Sequence, residues 1–253
     1  MSNIYLTKDD LKTMPLYDTN DINTEATLFR HLNYLYKIYQ KKDCKEKEPI
    51  IDFVLSLKKI DHCIFPNGKI YLDKEFAGMR MDYLTKYKTL FQTLESKQIN
   101  FKTRLQICRE FIKIIKLLYE QDICYDDIDL HNVLINDSDV QLVDLDGSSI
   151  KEFISNDEYE ISKNLMQFNS TILVISYLYR INFHEIINRY DFDYFSTLLY
   201  ILKIDKELCS YISKLVAGKD VGSIYVDEYL ETFDEEQIKI YKKGYLDYFI
   251  KKK

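Results

Sequence analysis

Residues 123–147 read ICYDDIDLHNVLINDSDVQLVDLDG, a run that crowds aspartates around Asn132, ends on Asp-Leu-Asp-Gly, and has no lysine or arginine from 122 to 150. Two carboxylates about 4 Å apart repel by roughly 4 kcal/mol at an effective dielectric near 20. A folded cluster of this kind therefore needs protonation, basic partners or a bound cation. Carboxylates with an amide oxygen suit Mg2+, which takes a few protein oxygens and completes its shell with substrate phosphates and water. Taken singly, Asp126, Asp129, Asn136 and Asp137 read as solvated turn residues. For Asp127, Asn132 and Asp144 together, their spacing weighs against that reading.

The surrounding elements must hold that set. The triplets VLI (133–135) and QLV (141–143) flank the polar turn NDSD and predict a hairpin, which puts the carboxylates at strand ends. Upstream, KTRLQICREFIKIIKLLYEQ (102–121) has the apolar spacing of a long helix. FPNGKIYLDKEFAGMRMDYL predicts a Pro-Asn-Gly turn, then two short strands joined by Asp73-Lys74-Glu75. Segment 24–39 carries Leu28, Leu32, Leu35 and Tyr39 at helical spacing, with Asn23 as a cap, and predicts an amphipathic helix. KKDCKEKE then reads as a charged loop and IIDFVLSLKKI as a second helix, while IYLT-KDD near the N-terminus is hairpin-like. From about 155 to the end the pattern is helical.

Asp127 and Asn132 have the spacing of the kinase catalytic loop H-R-D-x-x-x-x-N, a V-L-I strand follows, and Asp144 stands where D-F-G begins. On these residues the chain resembles the protein-kinase-like superfamily. The resemblance implies an α+β, two-lobed fold, with a reduced mixed N-lobe over 1–84 and a larger, mainly helical C-lobe over 85–253. It also implies ATP and Mg2+ as cofactors. Asp127 would position or deprotonate the attacking hydroxyl, and Asn132 and Asp144 would hold the metal. Met81 would be the gatekeeper, with Asp82, Tyr83 and Leu84 the backbone that meets adenine; Met81 and Tyr83 read equally as ordinary core residues. Glu25, with Leu28 and Leu32, matches the regulatory-helix pattern, and reads equally as a first-turn acid favoured by the helix dipole. Lys12 is the candidate for the phosphate-contacting lysine, in competition with Lys8 and with a plain solvated reading. The resemblance covers most of residues 12–150; the helical remainder agrees in class only.

The pattern also departs from that family. No glycine precedes Gly68, so no Gly-rich phosphate loop lies upstream of Lys12. Tyr125-Asp126 replaces the His-Arg of the catalytic loop, and Asp129 stands where serine/threonine kinases have a basic residue. These changes remove positive charge that would face the γ-phosphate. Asp146 replaces the D-F-G glycine and is assigned a further metal oxygen, with a turn cap as its other reading. No proline follows Pro66, so the A-P-E element is missing. The short link after Gly147 resembles small-molecule kinases of the aminoglycoside or choline type and compact bacterial kinase-like proteins. Ser148 and Ser149 read as turn serines, with modification sites as their other reading.

Hydrophobic residues make up 46% and charged residues 30% of the 253, the composition of a globular chain. A formal charge of −6 argues against a nucleic-acid partner. The longest apolar run, TILVISYLY, is too short to span a bilayer. Five dispersed cysteines without a C-x-x-C pair read as reduced thiols of a cytoplasmic protein. The expected activity is transfer of the γ-phosphoryl of ATP to a hydroxyl on a protein or small molecule. The alternative is a pseudokinase, a nucleotide- or protein-binding regulatory module. Nucleotidyl transfer keeps the same fold. Asp144-Leu145-Asp146 also matches a glycosyltransferase metal motif, but the strand-Gly-helix signals of a nucleotide-sugar domain are absent.

Overall fold

The computed structural model describes residues 3–17, 25–57, 60–189, 192–201, 204–219 and 226–233. The expected cap Asn23 and the last expected helical stretch, 235–249, lie outside the described residues. The chain divides into two compact units, Met1–Tyr87 with Leu142–Ser148, and Lys88–Gln141 with Ser149–Lys253.

The first unit begins with β1 (Ile4–Leu6) and α1 (Lys8–Thr13). Thr7 and Asp10 form a reciprocal capping box that turns the chain from strand into helix, so this segment is not a hairpin. The helix expected over 24–39 is also corrected. The chain forms β2 (Ala26–His31) and β3 (Tyr34–Tyr39), paired antiparallel from Ala26↔Tyr39 to His31↔Tyr34. Leu28, Leu32, Leu35 and Tyr39 satisfy a helical period, but Thr, Phe, Tyr and Ile between them suit a pleated surface better. Leu32, at φ 55°, makes the tight connection.

Helix α2 (Cys44–Ser56) starts inside the segment read as a charged loop, where Lys and Glu are good helix formers, and buries Ile51 and Val54. The strands β4 (Pro66–Leu72) and β5 (Glu75–Asp82) form the expected hairpin. Pro66-Asn67-Gly68 is not a turn but the irregular start of β4, where the register with β5 shifts. The five strands are ordered β1-β4-β5-β3-β2, with β1 parallel to β4 and the other pairs antiparallel. Tyr39, Ile51, Phe76, Met79 and Met81 form the core of this unit. The backbone around Leu142 is tied to it: Leu142 N–H donates to His62 O at 2.9 Å, and Ile64 N–H to Leu142 O at 2.8 Å.

In the second unit, β6 (Lys88–Thr89) leads into α3 (Leu90–Thr93), and α4 (Phe101–Tyr119) is the expected long helix, capped by Asn100. Strand β7 (Ile123–Tyr125) precedes the expected hairpin of β8 (Val133–Asn136) and β9 (Asp139–Leu142), which turns at Asp137, φ 56°. Strand β10 (Ser148–Ile150) pairs with β7, and the other small sheet runs β6-β8-β9. Helix α5 (Asn156–Tyr179) opens on a Ser155/Glu158 capping box and buries most of its second half against α4. Buried Arg104 donates to the carbonyls of Thr93, Ser96 and Tyr177 at 2.9–3.1 Å. Helices α6 (Phe183–Arg189), α7 (Phe192–Ile201), α8 (Lys206–Val216) and α9 (Val226–Thr232) follow. The protein is therefore mixed α+β, with a mixed sheet and a helix-rich second half. Among the described residues no helix is long and apolar enough to cross a membrane.

Candidate functional site

Successive side chains of a strand alternate in direction, so Lys37 and Tyr39 of β3 share one face. Lys37 is 3% exposed, a depth at which an ammonium is retained only with partners. Its Nζ donates to Asp144 Oδ1 at 2.5 Å and lies 3.1 and 2.9 Å from Oδ1 and Oδ2 of Asp146. Tyr39 OH donates to Asp146 Oδ2 at 2.7 Å. From α2, Lys47 Nζ donates to the Asp146 carbonyl at 3.1 Å and pairs with Glu25 at 3.2 Å. The repulsion latent in Asp-Leu-Asp-Gly is thus met by basic partners. Gly78 of β5, registered opposite Ile38, lets the β3 backbone pass close by: a Cβ there would sit 2.0 Å from the Lys37 carbonyl oxygen.

Burial alone would push the Lys37 ammonium down, but the charges of Asp144 and Asp146 outweigh it and hold the pKa above the ordinary lysine value. The two carboxyls diverge. Burial, joined by the Asp146 charge, pushes Asp144 up to about 6 against the pull of Lys37. Burial also acts to raise Asp146, but Lys37 and the Tyr39 hydroxyl hold it below the usual carboxylate range. Asp144 takes a left-handed backbone, φ 67°, an uncommon conformation that aspartate tolerates better than most residues.

In the second unit, Asn132 Nδ2 donates to Asp127 Oδ2 at 2.9 Å and to the Asp127 carbonyl at 3.0 Å. A carboxylate accepts only, so the amide nitrogen must face Asp127 and the amide oxygen is turned the other way. Asp129 ties the loop by accepting from the backbone N–H of His131 at 2.8 Å. Asp126 is not a solvated turn residue. It is partly buried, accepts from Ser149 Oγ, and burial pushes its carboxyl up against that bond. Ser148 and Ser149 lie in β10 rather than in a turn.

Lys12 is 76% exposed on α1, pairs with Asp9 at 2.8 Å, and Lys8 is exposed at the start of the same helix. The lysine brought to Asp144 is Lys37, which the helical reading of 24–39 hid. Its signal was a single cation among alternating aromatic and aliphatic residues in YLYKIY. Glu25 precedes β2, not a helix, and its lysine partner is Lys47. Met81 is buried in β5. Asp82 accepts from Asn67 Nδ2 at 2.8 Å, Tyr83 N–H donates to Asn33 O at 2.8 Å, and the Leu84 carbonyl accepts from Tyr87 N–H at 3.3 Å.

Among the described residues no three His, Cys, Asp or Glu side chains are grouped to hold a metal. Mg2+ does not require such a cage, since one or two protein oxygens suffice when phosphates and water supply the rest. Asp144, with a side chain 30% exposed and one oxygen committed to Lys37, fits that description. Asp146 offers less, because donors engage both of its oxygens. No protein-family profile matches the chain, and no curated protein sequence matches it.

Proposed function

We propose that the chain is an ATP- and Mg2+-dependent phosphotransferase with a two-lobed protein-kinase-like fold, transferring the γ-phosphoryl group to a hydroxyl of a protein or small molecule. The observation that carries this reading is the 2.5 Å pair between Lys37, on a strand, and Asp144, which opens Asp-Leu-Asp-Gly. Kinase chemistry handles its nucleotide with a strand lysine at the phosphates and a metal-holding aspartate in the D-F-G place. Lys37 thus takes the role expected of Lys12. Asp127 aligns the acceptor hydroxyl and takes its proton as the new O–P bond forms and the bond to ADP breaks. Asn132 and Asp144 would offer oxygens to Mg2+, which when bound would supply charge neutralisation on the transferring phosphoryl. Met81 and the backbone of Asp82 to Leu84 receive the adenine.

A thermal-shift titration tests this. ATP with Mg2+ should stabilise the wild type by about 2.7 kcal/mol at a hundred times the dissociation constant. The metal-dependent part should vanish in Asp144→Asn. No shift at millimolar ATP and Mg2+ would sink the reading.

A second reading, a nucleotide- or protein-binding module without turnover, is favoured by Asp129 at the basic position and by the engagement of Lys37 with two carboxylates. Phosphoryl transfer from radiolabelled ATP that is lost in Asp127→Asn decides against it.

A further inference from the structure

The two carboxylates on Lys37 are not equivalent. Asp144 is partly exposed, and the phosphotransferase reading gives it to the metal. Asp146 is 1% exposed, with Lys37 near both of its oxygens, the Tyr39 hydroxyl on Oδ2 and Lys47 on its carbonyl. To ligate a cation it would have to release donors that hold it, and its own burial leaves those donors no water to turn to. What the arrangement does well is fix an ammonium. Tyr39 and Lys47 hold Asp146, and Asp146 holds Lys37.

In protein kinases the strand lysine is positioned by a glutamate from a helix. Here α2 is the helix packed on β4 and β5, and the side chain it sends to this cluster is Lys47, a cation that cannot do the same work. The α2 carboxylates Glu48 and Asp52 pair with Lys69 instead, at 3.1 and 2.8 Å. Glu25 pairs with Lys47.

We propose, resting on the phosphotransferase reading above, that Asp146 is the positioning residue for Lys37: it replaces the helix glutamate and keeps the ammonium oriented toward the nucleotide phosphates while Asp144 serves the metal. The sign of one measurement separates this from a plain charge effect. Deleting a carboxylate beside an ammonium that meets a polyanion should, by charge alone, tighten ATP binding. Loss of positioning weakens it.

The test is calorimetric titration of the full chain with ATP and with adenosine, both with Mg2+, for wild type, Asp146→Asn, Lys37→Met and the double variant. Asp146→Asn should weaken ATP roughly ten- to hundredfold, the scale of a hydrogen bond to a charged group, and leave adenosine unchanged. The double variant should bind ATP no more weakly than Lys37→Met, because residues acting through one contact are not additive. Tyr39→Phe keeps the charge and removes one donor to Asp146. It should weaken ATP roughly two- to tenfold, and it carries the test if Asp146→Asn does not fold. ATP binding as tight as wild type in Asp146→Asn and Tyr39→Phe, or losses that add in the double variant, would overturn the proposal and leave the phosphotransferase reading standing. A wild type that binds no ATP removes both.

Discussion

Asp144 combines a left-handed backbone with a carboxyl pushed up to about 6, first by burial and then by Asp146, against Lys37. Its unfolded value is 3.8, so the folded state takes up a proton between roughly pH 4 and 6, and its contribution to stability grows as pH falls through that window. Above it, the ionised carboxylate is a net cost to the folded state. Asp144→Asn should therefore melt above wild type at pH 7.5 in the absence of ligand, and the gap should close as the pH is lowered from 6.5 to 4.5. A variant that melts below wild type at pH 7.5 would mean that the Lys37 ion pair outweighs burial. The lysines make a second contrast. Lys37→Met strands two carboxylates in a buried site and should cost about 3–5 kcal/mol in urea unfolding. Lys12→Met removes only an exposed pair with Asp9 and should stay within about 0.5 kcal/mol.

The elements that announced themselves in the sequence are those with one consistent period, such as α4 and the β8-β9 hairpin around its polar turn. Segment 24–39 was ambiguous because its leucines satisfy a helical spacing while its Tyr, Phe, Thr and Ile residues pack across a sheet. Reading it as a helix hid the strand that carries Lys37. The β4-β5 hairpin was legible, but its turn is strained: Asp73 and Lys74 both have positive φ, at 52° and 72°. Asn-Gly suits that geometry, so Asp73→Asn with Lys74→Gly should raise stability by about 0.5–1 kcal/mol, read as a higher urea midpoint at unchanged slope. Gly78 sets the approach of β5 to β3. In Gly78→Ala the new Cβ meets backbone, which cannot step aside as a flexible side chain would, and the strands must part. A loss of about 1–3 kcal/mol is expected. Because the atom it meets is the Lys37 carbonyl oxygen, the ATP-dependent thermal shift should fall with it; a full shift would mean that the sheet absorbs the methyl without moving Lys37.

Over the whole molecule, the candidate residues that can be read from the sequence are the ones that are contiguous. Asp127, Asn132, Asp144 and Asp146 declare themselves by type and spacing within one short run, whereas the basic partners of the Asp144–Asp146 segment are Lys37, 107 positions before Asp144, and Lys47, 99 before Asp146. Only the fold brings those together. It does so through a discontinuous unit: residues 142–148 belong with 1–87, although 88–141 separate them in sequence. The fragment 1–87 contains Lys37 and Tyr39 without Asp144 or Asp146. It would have to bury an ammonium, 3% exposed in the intact chain, with neither of its carboxylates. Breaking such a pair costs about 3–5 kcal/mol, out of the roughly 5–15 kcal/mol that separates a folded domain from its unfolded chain. Fragment 1–87 alone should therefore show no cooperative urea transition by circular dichroism. The same fragment joined through a flexible Gly/Ser linker to residues 142–148 should show one, and Asp146→Asn in the joined fragment should weaken it again. A cooperative transition of equal midpoint in both fragments would mean that the returning segment is a passenger on the sheet, and that Lys37 finds its compensation without it.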